Sequence, residues 1–182
     1  MGFLLNALVL TGGGSRRMGQ DKASQTWGGE RAVDRVVALA KVMGAARVAT
    51  SGDRDYGHEH VPDPSPDAGP VGGLIAGLAY LESGRHRILV LAVDAPTLTP
   101  EDLAPLIDEG EPGAAYLGLP VPMLFAGAAI PPDTEAGWPL RRFVERLGLV
   151  QLSPPPGALA RLRGANTPEE RALLLGEAGL KA

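Results

Sequence analysis

The feature that most constrains this chain is an abrupt change at residue 11. Phe3-Leu4-Leu5-Asn6-Ala7-Leu8-Val9-Leu10 is a near-continuous apolar run, and it gives way at once to Thr11-Gly12-Gly13-Gly14. An apolar run of this kind reads as a strand buried on both faces, and the glycines mark the loop it enters. Such a strand needs covering layers on either side, and the rest of the chain supplies helices.

Trp27-Gly28-Gly29 reads as a turn, after which Val33, Val36, Val37 and Ala40 recur at helical spacing until Gly44. Residues 47–50 form a short second strand. Residues 51–70 are polar and rich in Pro, Asp and Gly, which predicts a long loop of the kind that is usually functional or disordered. Leu74, Ile75 and Leu78 mark the next helix, and residues 88–93 form the cleanest buried strand, stopped by Asp94-Ala95-Pro96. Thr99-Pro100-Glu101-Asp102 opens a helix with an N-cap, a proline at the first position and acid in the first turn. Residues 114–125 predict one or two short strands around a turn at 118–122. Pro139 then opens a helix with Leu140, Phe143, Val144 and Leu147 on one face, and Thr167-Pro168-Glu169-Glu170 is a capping box before Leu173 and Leu174. Strands alternating with helices predict an α/β domain with a mostly parallel sheet, and a length of 182 residues fits one such domain, 1–182. In such sheets a ligand sits beyond the carboxyl ends of the strands. Residues 11–22, 51–55 and 94–99 all follow strands, so they converge on one edge.

Composition removes several classes of function. Only 4% of the residues are aromatic and the net charge is −4, so the chain lacks both the stacking groups and the basic footprint of a nucleic-acid binder. With no cysteine there is no disulfide, no thiol nucleophile and no thiolate-held metal. His58, His60 and His86 sit in polar stretches without the helical zinc spacing and read as solvated loop residues. The apolar start is too short to span a membrane and has neither a basic leader nor a cleavage site, which makes the cytoplasm the default location.

The chemistry concentrates in Thr11-Gly12-Gly13-Gly14-Ser15-Arg16-Arg17-Met18-Gly19-Gln20-Asp21-Lys22. Successive glycines let backbone N–H groups close on an anion, and Arg16, Arg17 and Lys22 add positive charge. The composition is that of a polyphosphate site. It is not a P-loop, because Gln20-Asp21 follows where that motif needs Lys and then Ser or Thr. Nor is it the dinucleotide fingerprint, because Arg17 stands where the third glycine belongs. Asp94, closing an apolar strand opposite this loop, is placed either to hold Mg²⁺ bridging phosphates or to cap its own turn. Asp63 and Asp67 are weaker candidates. Gly69-Pro70-Val71-Gly72-Gly73 enters a helix with little bulk, which suits close packing or close approach of a ligand.

These residues resemble a known family. The segment 10–22 resembles the opening signature of the molybdenum cofactor guanylyltransferases, which reads Leu-Ala-Gly-Gly, then Arg-Met-Gly, then Asp-Lys. Gly69-Pro70-Val71-Gly72-Gly73-Leu74, Val93-Asp94-Ala95-Pro96 and Asn166-Thr167-Pro168-Glu169-Glu170 resemble three further motifs, in family order. The resemblance implies a Rossmann-like, three-layer domain that moves GMP from GTP to the terminal phosphate of molybdopterin and releases pyrophosphate. It places Leu10, Thr11, Gly12, Gly13, Gly14, Ser15, Lys22, Ser51, Asp63, Gly69, Pro70 and Asp94 around the nucleotide. Arg16, Lys22 and Asp94 are its catalytic candidates, with Asp94 also the Mg²⁺ ligand. Asn166 falls on the acceptor side, in a division with nucleotide binding in about 1–100 and the acceptor in about 101–182. Molybdoenzymes or a second copy of the chain are the protein partners it leaves open.

Thr11 replaces the family's usual Ala, Ser51 an Asn, and Gly164 the first of two Asn two apart, while Pro120-Val121-Pro122-Met123 stands where a His-Pro-Thr-like segment is expected. Gly12-Gly13 favours guanine over the cytidylyl branch, which tends to carry Ala-Gly. The alternatives are a relative using CTP or another phosphorylated acceptor, and a non-catalytic nucleotide-binding module.

Overall fold

In a computed structural model, described for residues 4–12, 21–65, 68–82, 84 and 86–181, the apolar run becomes strand β1 (Leu5–Leu10). Side chains alternate across a strand, so Ala7 and Val9 point into one apolar cluster while Leu8 and Leu10 point into another. All four are buried, as a two-faced strand requires.

The chain continues through a small antiparallel pair, β2 (Thr26–Trp27) and β3 (Glu30–Arg31), joined by the predicted turn. Gly28 and Gly29 both have positive φ there, the conformation that a two-residue hairpin turn demands. Helix α1 (Ala32–Val42) leads to β4 (Arg47–Gly52), then β5 (Glu59–Pro62) and α2 (Gly69–Tyr80). After β6 (Arg87–Ala92) come α3 (Pro100–Asp108), β7 (Gly113–Tyr116) and β8 (Met123–Ala126). The chain ends with α4 (Leu140–Leu147), β9 (Val150–Leu152), α5 (Leu159–Arg163) and α6 (Pro168–Glu177). The large sheet has the order β5-β4-β1-β6-β8-β7-β9. It is mostly parallel, since only β8 runs against its neighbours β6 and β7.

Three layers follow from the two apolar clusters. Val33, Val36 and Val37 of α1, Leu103 and Leu106 of α3 and Leu162 of α5 cover one face. Leu74 and Leu78 of α2 and Phe143, Val144 and Leu147 of α4 cover the other. A smaller cluster joins Trp27 and Ala32 to Leu174 and Leu175, docking α6 on the β2–β3 turn. Among the described residues no helix is long and apolar enough to cross a membrane.

The loop expected over residues 51–70 needs correction, because β5 lies inside it and pairs with β4. An edge strand needs little apolar surface, and only Val61 of β5 is buried, so its composition reads as a loop. The histidines are not simply solvated either. His58 Nε2 lies 2.8 Å from Asp34 Oδ1, and His60, within β5, has Nδ1 3.4 Å from Thr50 Oγ1.

Candidate active site

Strands β5, β4, β1 and β6 are parallel neighbours, so their carboxyl ends bring Asp63, Ser51, Thr11 and Asp94 to one edge of the sheet. The described parts of the three polar segments, residues 11–12 and 21–22, 51–55 and 94–99, follow these strand ends as expected.

The frame around Thr11 is tightly bonded. Thr11 donates both its backbone N–H and its hydroxyl to the Ser51 carbonyl, at 2.8 and 3.0 Å. Ser51 in turn donates its hydroxyl to the Gly73 carbonyl at 2.9 Å. Both hydroxyls are buried and engaged within the protein. The bare helix entry predicted at Gly72-Gly73 serves close packing, since a Cβ on Gly73 would lie 2.7 Å from Ser51 Oγ and 2.8 Å from Asp63 Oδ1. Asp63 also faces the start of the glycine loop, with Oδ2 3.3 Å from where a Cβ on Gly12 would stand. Gly69 and Pro70 form the first turn of α2. Gly13, Gly14, Ser15 and Arg16, with Arg17 and Asp67, lie outside the described residues.

Where the chain leaves the loop, Asp21 caps a short 3₁₀ turn (Lys22–Ser24), accepting from Ala23 N at 3.1 Å and Ser24 Oγ at 2.9 Å. It also accepts from Tyr56 Oη at 2.9 Å and from Arg54 at 3.3 Å, so the turn bearing Lys22 is fastened to the segment after β4. Burial alone would raise the Asp21 carboxyl, but the bonds from Ser24 and Tyr56 outweigh it and hold it below its ordinary value. Tyr56 is pushed up to about 12 by burial and by Asp21. Sequence reading missed Tyr56 and Arg54, which belong to no motif.

Asp94 is partly buried at the end of β6. Burial pushes its carboxyl above the ordinary range, while the nearby Lys22 ammonium pulls the other way. Val93 N donates to the Leu10 carbonyl at 3.2 Å, so Asp94 follows directly on the residue that closes β1. Lys22 Nζ donates to Asn166 Oδ1 at 2.8 Å and to the Ala165 carbonyl at 3.4 Å. Asn166, expected on the acceptor side, thus touches the lysine of the glycine loop. Among the described residues no group of three or more His, Asp or Glu side chains is gathered as a metal site.

Residues 7–136 match the model of the MobA-like NTP transferase domain. The chain is similar to a molybdenum cofactor guanylyltransferase of Xanthomonas euvesicatoria pv. vesicatoria, 38% identical over 55% of this chain and 52% of that protein. It is also similar to one of Rhizobium meliloti, 30% identical over 90% of this chain and 87% of that protein. Against the first curated relatives the match spans only about half of their length, 52% and 60%. Among solved structures, molybdopterin-guanine dinucleotide biosynthesis protein A from Archaeoglobus fulgidus superposes with a TM-score of 0.60 at 18% identity, over 96% of this chain and 98% of that one. At that identity the likeness is one of fold.

Proposed function

The chain belongs to the MobA-like NTP transferase family, and from that premise we propose that it is a Mg²⁺-dependent guanylyltransferase acting in the cytoplasm. It moves GMP from GTP to the terminal phosphate of molybdopterin and releases pyrophosphate. The observation that carries this reading is that one segment, 165–166, bonds both the Lys22 ammonium and the Asp94 backbone and so keeps the two residues side by side at the carboxyl end of β1. A cation and a carboxylate so placed are what phosphoryl-group chemistry needs from a protein.

An oxygen of the molybdopterin phosphate attacks the α-phosphorus of GTP in line. The new P–O bond forms as the bond to the bridging oxygen breaks, and pyrophosphate leaves. No protein nucleophile is needed; the barrier falls through positioning and neutralisation of charge. Lys22 supports the phosphates as a point charge, together with Arg16 and the backbone N–H groups of residues 12–15. Because the Thr11 hydroxyl and N–H and the Ser51 hydroxyl and carbonyl are engaged in the frame, those residues serve the nucleotide by shaping its seat. Leu10, Gly12, Asp63, Gly69 and Pro70 line the rest of the nucleotide side.

The donor set suits Mg²⁺. This ion keeps several waters and takes one or two carboxylates plus substrate phosphates, and Asp94 offers one hard oxygen donor not committed to a bidentate protein partner among the described residues. When bound it would neutralise phosphate charge and align the reacting groups.

The base is tested by thermal unfolding with GTP, CTP, ATP or UTP at equal concentration with Mg²⁺, because a ligand bound only by the folded state raises the midpoint. GTP should give the largest rise. A larger rise with CTP would move the protein to the cytidylyl branch.

A further inference from the structure

A lysine ammonium sits at the end of a flexible stem and must be held if it is to meet a phosphate in one place. Lys22 is held by two acceptors that follow one another in the chain, Ala165 O and Asn166 Oδ1. The backbone just before them is clamped onto Asp94. Ala165 N donates to the Asp94 carbonyl at 3.1 Å. Gly164 packs so closely that a Cβ there would stand 2.1 Å from the same oxygen, and its φ of +69° is a conformation that side chains other than glycine's rarely accept. The departure from the family pattern at Gly164 therefore coincides with this close seat on Asp94.

The other end of the segment is fixed as well. Asn166 N and Thr167 N both donate to Glu170 Oε2, at 2.7 and 3.1 Å, in the cap of α6. Farther along α6, Arg171 donates to the Thr26 carbonyl at 2.6 Å and lays its guanidinium 5.2 Å from the centre of the Trp27 ring. Both ends of the strap 164–166 are thus tied to elements that flank the site.

We infer that Asn166 is a positioning residue: seated on Asp94 through the strap 164–166, it fixes the Lys22 ammonium where one N–H donor is left for a phosphate oxygen. An ammonium has three donors, and among the described residues two of them are taken by the strap. The contact stands on geometry alone; its effect on nucleotide affinity rests on the guanylyl-transfer reading.

Two measurements test this together. The chain has three lysines, and Lys41 and Lys181 are both exposed, so ammonium NMR of the nucleotide-free protein reads Lys22 with little overlap. Asn166→Ala should shift and broaden the Lys22 signal and leave the other two in place. GTP affinity, measured without acceptor, should weaken by about three- to tenfold in Asn166→Ala, the scale of one charge-assisted hydrogen bond loosened rather than removed. Asn166→Gln, which keeps the amide oxygen on an exposed arm, should recover most of that loss. In a Lys22→Ala background, Asn166→Ala should add less than about a twofold change, because coupled residues are not additive. An unmoved Lys22 signal or fully additive losses would overturn the inference. Unchanged GTP affinity with a raised KM for molybdopterin would also overturn it and make Asn166 an acceptor contact. A wild-type protein that binds no GTP would sink the guanylyl-transfer reading instead, and the ammonium spectrum would still decide whether Asn166 holds Lys22.

Discussion

Asp94 and Asp102 both follow β6 within ten residues of its end, in opposite circumstances. Asp102, in the first turn of α3, is 2% exposed and is gripped by Arg161 at 2.6 and 2.8 Å, while it accepts the Thr99 N–H at 2.9 Å. Burial alone would raise its carboxyl, but the Arg161 guanidinium and the capping bond outweigh it and hold it below its ordinary value. Asp94 is also withdrawn from water, yet Lys22 is the charge that opposes burial there, and burial wins. A carboxylate with a complete set of partners fastens helices together. One pushed above its ordinary range is poised for positive charge that a ligand brings.

The sharpest way to break this contrast is to neutralise each aspartate in turn. Asp94→Asn keeps the size of the side chain and its turn-forming ability, so the protein should fold and still bind GTP. Transfer should fall at least about a hundredfold, the scale of losing metal-assisted charge stabilisation. Near-normal turnover would reduce Asp94 to a turn residue. Lys22→Ala should lower GTP affinity or turnover by about ten- to thousandfold, as expected for a charged ligand contact, with little effect on unfolding. If binding and turnover both stay at the wild-type level, the glycine loop is only a solvated turn.

Asp102→Asn should do the reverse. It leaves Arg161 without its counter-charge and should cost about 2–3 kcal/mol of stability, read by urea unfolding, while GTP affinity stays within about twofold. The smallest effect concerns pH. A carboxyl depressed by folding contributes stability above its unfolded pKa, and that stability is lost as the pH falls through its folded value. The gap between wild type and Asp102→Asn should therefore be full at neutral pH and narrow below about pH 4. A gap that ignores pH would mean that the pair acts through packing alone.

The same two residues show what was legible. Asp94 stood out because an unbroken apolar strand ends on it, and burial on both faces leaves that trace in composition. The cap built by Thr99 and Asp102 was legible too, since its parts lie within one helical turn. Arg161 was not, because a partner fifty-nine positions away leaves no local pattern. The contact between Lys22 and Asn166 spans 144 positions and was hidden for the same reason. Strand β9, with no fully buried residue, and helix α5, with five residues, are too short to show a period and depend on the surfaces they join. Gly164 was visible as a departure from a family pattern, but its cause, the Asp94 carbonyl beneath it, appears only in three dimensions.

If the proposed function holds, this edge of the sheet transfers a guanylyl group rather than only binding a nucleotide. Pyrophosphate release from GTP and Mg²⁺, with and without molybdopterin, tests it most directly when wild type and Asp94→Asn are run side by side. The wild type should release acceptor-dependent pyrophosphate, matched one for one by a molybdopterin–guanine dinucleotide, and the variant at least about a hundredfold less. A wild-type protein that binds GTP and releases no pyrophosphate with molybdopterin or another phosphorylated acceptor would contradict it.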